Sequence, residues 1–169
     1  MVTRGFTVVE LIITITIMGI LLLLTVVNIN SSQIQARDSE RVGDIEAIQG
    51  ALESFYEIGT TGSTNINRYA TTNLTSSVAI MTSTLRDINT KSLMAPGISD
   101  PAQTFISATN NTQTTAGVLP QPTISQYVYQ PIMPDGALCI SGNIDCRKYN
   151  LYYRLEKDNT VYMVTSKNQ

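Results

Sequence analysis

Residues 5–27 read GFTVVELIITITIMGILLLLTVV, and this run decides the architecture. From Phe6 to Val27 it spans about 22 residues, roughly 33 Å of α-helix at ~1.5 Å per residue, enough to cross a bilayer core of about 30 Å. A removed secretory signal requires a small-residue cleavage motif after a shorter apolar region. This chain continues instead with NINSSQIQARDSERVGD, so the run reads as a retained membrane anchor. Arg4, on the short N-terminal flank, places that flank on the cytoplasmic side and sends everything after about Asn28 outward.

Working outward, residues 37–57 read RDSERVGDIEAIQGALESFYE. Val42, Ile45, Ile48, Leu52 and Phe55 recur at steps of three and four, one apolar stripe of an amphipathic helix. Arg37, Asp38, Glu40, Arg41, Asp44, Glu46 and Glu53 fall mostly off the stripe, with Arg37–Glu40 and Arg41–Asp44 at pairing distance along a helix. No proline interrupts residues 6–57, and Gly59 is a natural stop. The pattern predicts one helix of about 50 residues, apolar all round in its first half and striped in its second.

The chain has 169 residues and a formal charge of −2, which gives no reason to expect nucleic-acid contact. It contains no histidine, so the commonest general base and transition-metal ligand are missing. Two cysteines without histidine do not make a four-ligand zinc site. No cofactor, metal centre or catalytic constellation is expected, and the chain reads as a non-enzyme.

Glu10 is the misfit. It stands alone in the apolar run, and a carboxylate at membrane depth is costly unless it is hydrated or paired. Near the interface it needs no partner. Deeper in apolar surroundings it would answer an N-terminal amine created by a cut before Phe6, which would also remove Arg4.

The series Gly5-Phe6-Thr7-Val8-Val9-Glu10-Leu11, followed by IITITIMGILLLL and then by ARDSERVGDIEAIQGALESFYE, resembles the N-terminal half of type IV pilins of the short-leader kind and of the related pseudopilins. The resemblance implies a pilin fold and cleavage between Gly5 and Phe6 by a prepilin peptidase, with N-methylation of Phe6. It further implies that Glu10 pairs with the N-terminus of a neighbouring subunit, and that Gly19 matches the glycine within the family's helix. Val27 stands where many members carry proline, and the helix between those two positions loosens in assembled filaments. Here Thr25, Val26 and Val27 are β-branched and Asn28 and Asn30 are poor helix formers, so local melting once lipid is lost is expected even without the proline. The implied partners are further copies of the chain, the prepilin peptidase, an inner-membrane assembly platform, minor pilins and, before assembly, the membrane itself.

The expected fold is α+β, a long N-terminal helix on a small antiparallel β-sheet. Its expected segments are a leader (1–5), a transmembrane or filament-core helix (6–30), an amphipathic half (31–58), a loop region (59–125) with a short helix at about 77–93, and the sheet (126–169). The short helix rests on Val78, Met81, Leu85 and Ile88 with Ser76 or Ser77 as its cap. SATNNTQTTAGVLPQP reads as an exposed loop. SQYVYQPI, KYNLYYRLEK and TVYMVTSK read as strands, the last two joined across Asp158-Asn159. Either Leu151, Tyr153 and Leu155 or the alternate phase with Tyr152 faces the helix, together with Val128. Cys139 and Cys146 fit one disulfide in an extracytoplasmic chain, pinning the connection between the first two strands, with a free thiol pair or redox site as the competitor; the family often places a disulfide near the C-terminus. Asp135 and Asp145 lack the run of carboxylates a calcium loop needs.

The reading is a structural subunit, held as a single-pass precursor in the cytoplasmic membrane and then polymerised into an extracellular filament. A pseudopilin of a type II secretion or DNA-uptake system and a non-polymerising membrane-anchored binding protein are the alternatives.

Overall fold

The computed structural model describes residues 5–59, 66–143 and 145–168, with the side chains of residues 25–28 outside the description. The chain divides into two compact units, one ending at Ala36 and one beginning at Arg37. Helix α1 (Val8–Ile58) runs through that division. It ends where Gly59 takes φ +67° and donates its N–H to the Phe55 carbonyl, a left-handed stop that suits glycine.

In the first unit the apolar side chains of residues 8–24 are exposed around the whole helix, Val8 at 73% and Leu23 at 72%. One helix near the N-terminus is thus long and apolar enough to cross a membrane. Its hydroxyls are satisfied within the helix: Thr14 donates to the Leu11 carbonyl and Thr16 to that of Ile12. Those two hydroxyls need no water, which suits a helix in hydrocarbon.

The second unit is α+β. After α1 come a 3₁₀ turn (Thr72–Ser76), α2 (Val78–Thr84), a second 3₁₀ turn (Thr90–Leu93) and the short α3 (Pro101–Thr104). Strands β1 (Phe105–Ser107), β2 (Tyr127–Ile132), β3 (Lys148–Arg154) and β4 (Val161–Thr165) form one sheet in the order β1-β2-β3-β4. The β2–β3 and β3–β4 pairs are antiparallel, but β1 pairs with β2 in parallel. The sheet is therefore mixed, a correction to the antiparallel expectation. Phe105–Ser107 lies within the stretch read as loop because three residues are too short to show an alternation. Helix α2 also stops at Thr84 rather than running to about 93; Leu85 leaves helical geometry and Asp87 takes φ +61°.

The strand phase is settled by packing. Tyr149, Leu151 and Tyr153 join Ile45, Ile48 and Leu52 of α1 in the main core. Tyr152 and Val128 lie in a second cluster with Ala108 and Val118. Val128 therefore does not cover the helix as expected. The stretch 107–122 is not an exposed loop throughout: Val118 is fully buried in that second cluster. Gln130 anchors it. Its amide nitrogen donates to the Asn110 and Thr112 carbonyls, and its oxygen accepts from Asn150 and Tyr152. With both faces covered, β2 is buried at every position, so its sequence lacks a polar face.

Four charged residues of α1 are buried: Asp38, Arg41, Asp44 and Glu53. The expected Arg37–Glu40 and Arg41–Asp44 pairs give way to other partners, Glu156 far along the chain for Arg37 and Asp38 three residues back on the same helix for Arg41. Arg37 binds Glu156 through two nitrogens at 2.8 and 2.6 Å, and Arg41 binds Asp38 at 2.7 Å and the Ile124 carbonyl at 2.9 Å. Asp38 also accepts the backbone N–H groups of Glu156 and Lys157. A partner that recurs across more than a hundred residues leaves no trace in local spacing.

Candidate functional site

Gly5, Phe6 and Thr7 precede the first turn of α1, and Phe6 is 82% exposed. Thr7 is the residue before the helix, and it and Glu10 bond reciprocally. The Glu10 N–H donates to the Thr7 hydroxyl oxygen at 3.2 Å. The Thr7 N–H and hydroxyl both donate to Glu10 Oε2, at 3.0 and 2.8 Å. This is a capping box, the Thr-x-x-Glu arrangement that satisfies donors a helix start leaves unpaired. Both bonds fall on Oε2, and no hydrogen bond to Oε1 occurs among the described residues. The carboxylate also lies at the positive end of the helix dipole. In sequence the only signal for Thr7 is its spacing to Glu10 before an apolar run.

Gly19 lies inside α1 with open space where a side chain would project. Position 27 is helical too, so α1 is continuous there in the single chain, and the loosening that the resemblance implies belongs to the assembled filament; the Val27 side chain lies outside the described residues. Arg4, on which the orientation rests, also lies outside them.

In the second unit Cys139 and Cys146 form a disulfide with a Cα separation of 5.7 Å. It closes the connection between β2 and β3. The Cys139 carbonyl accepts the Thr72 N–H and the Cys146 carbonyl accepts that of Tyr69, so the bridge also fastens residues 69–72. Asp135 accepts the Ala137 N–H, and Asp145 pairs with Arg147. Among the described residues no three potential ligands group into a metal site.

No protein-family model, curated protein or solved structure matches this chain.

Proposed function

We propose that this chain is a pilin-like filament subunit. In this reading it is a single-pass membrane precursor, cut between Gly5 and Phe6, methylated at Phe6 and assembled through its apolar helix into an extracellular filament. The observation that carries the reading is Glu10, the one charged residue from Gly5 to Ala36, set at the first turn of an exposed apolar helix directly after a Gly-Phe step. Its Oε2 is occupied by Thr7 and its Oε1 takes no bond among the described residues, which suits acceptance of a neighbour's terminal amine. Stems that leave lipid for a bundle of other stems keep their apolar burial while gaining many weak contacts at once. The partners are further copies of the chain, the peptidase, a membrane assembly platform and minor pilins. A pseudopilin of a secretion or DNA-uptake system would share every stem feature and differ in the length of its filament.

The test is co-expression with a prepilin peptidase in membranes. The reading expects a chain shortened by residues 1–5, and no shortening once Gly5 is replaced by a bulkier residue. A chain that stays full length beside active peptidase contradicts it.

A second reading has its own observation. The capping box gives Glu10 a role within its own helix, as in a membrane-anchored binding protein that never polymerises. That reading expects an uncut chain and indifference of surface assembly to Glu10.

A further inference from the structure

The second unit carries a cavity of about 300 Å³, within the size range of small-molecule sites. Its apolar floor is Phe55, Leu74 and Ile80, and its polar groups include Arg68, Asn73 and Asn143. The walls are tied together before any ligand arrives. The disulfide and the backbone bonds Tyr69–Cys146 and Thr72–Cys139 join the β2–β3 connection to residues 69–72. The Ser77 hydroxyl caps α2, which contributes Ile80.

The charge pattern selects the ligand. Arg37, Arg41 and Arg147 each pair with a carboxylate, whereas Arg68 has no carboxylate partner among the described residues. Among the described residues no acidic side chain lines the cavity. A guanidinium offers parallel donors that match one carboxylate, and a single cation fits a monoanion better than a doubly charged phosphate. The neutral amides suit hydroxyl groups, and the apolar floor suits the C–H face of a ring. We propose that this cavity binds one acidic sugar ring of the hexuronate type, with its carboxylate on Arg68 and its hydroxyls on Asn73 and Asn143. The site belongs to the second unit alone and stands whether or not the stem polymerises.

The experiment is isothermal titration of the full chain in detergent micelles with glucuronate, and separately with glucose and acetate. Saturable glucuronate binding is expected, at least about tenfold tighter than glucose or acetate, because only glucuronate offers both groups. Arg68→Gln should weaken it about tenfold or more, Arg68→Lys should retain part of it, and Lys157→Gln, outside the cavity, should leave it unchanged. Amide NMR shifts should centre on residues 68–74 and 142–146. Absence of saturable glucuronate binding overturns the proposal. So does glucuronate affinity unaltered in a folded Arg68→Gln chain, or glucose binding as tightly as glucuronate.

Discussion

At the scale of single residues, two carboxylates on one helix do opposite things. Glu10 sits in the open at the helix start, held by Thr7. In the filament reading its charge matters beyond the cap. Glu10→Gln keeps an oxygen for Thr7 but loses the charge, and should match Glu10→Ala in abolishing surface filaments while cleavage continues. Counting sheared filaments decides between this and a capping role, under which Gln would act like Glu. Asp44, by contrast, is buried against the Tyr127 hydroxyl at 2.9 Å. Burial raises its pKa from 3.8 to about 6, with Glu40 adding to the rise and Tyr127, Lys91 and Arg41 opposing it. The folded state therefore binds a proton between about pH 6 and pH 4 that the unfolded chain does not. Stability should rise as pH falls through that window, on the order of 1–3 kcal/mol, and Asp44→Asn should flatten the rise in denaturant titrations. Glu156 acts in the other direction. Its hydrogen bond to Arg37 lowers its pKa, so its contribution is present at neutral pH and is lost only in more acidic solution.

At the scale of elements, the second half of α1 organises the second unit through both its apolar stripe and its buried charges. Val42, Ile45, Ile48, Leu52 and Phe55 were legible as a stripe because helical packing repeats every three or four residues, and all are buried or half-buried. The Gly59 stop and the Asp158-Asn159 turn were legible for the same local reason, since left-handed backbone favours Gly and Asn; Asn159 has φ +54°. What escaped depends on distant partners: the parallel β1, the cover of residues 107–122 over the outer sheet face, and Glu53. Glu53 accepts four hydrogen bonds, from the Tyr69 and Tyr149 hydroxyls, the Lys167 N–H and the Asn168 amide. It therefore fixes the C-terminal segment, and no spacing rule announces that. Glu53→Ala should cost about 2–4 kcal/mol by leaving buried donors unmet, and the Lys167 amide should exchange faster with solvent. Reducing the Cys139–Cys146 bridge, which spans seven positions in sequence, should cost about 2–3 kcal/mol, read as a drop in melting temperature.

At the scale of the whole molecule, the two units present different surfaces. The first leaves apolar side chains of α1 exposed from residue 8 to 24, with Glu10 as their one charge; the second buries its apolar residues in two clusters around a mixed sheet. An exposed apolar helix of that length requires a cover, lipid or other protein. The filament account supplies both in sequence, lipid before assembly and neighbouring stems after it. Its central claim concerns the new N-terminus, because that terminus is what gives Glu10 its proposed partner. The most direct measurement is intact-mass and N-terminal peptide spectrometry of the protein sheared from the cell surface. The account predicts a chain beginning at Phe6 and carrying one methyl group on its amine. A chain still beginning at Met1, confined to the membrane fraction, would contradict it.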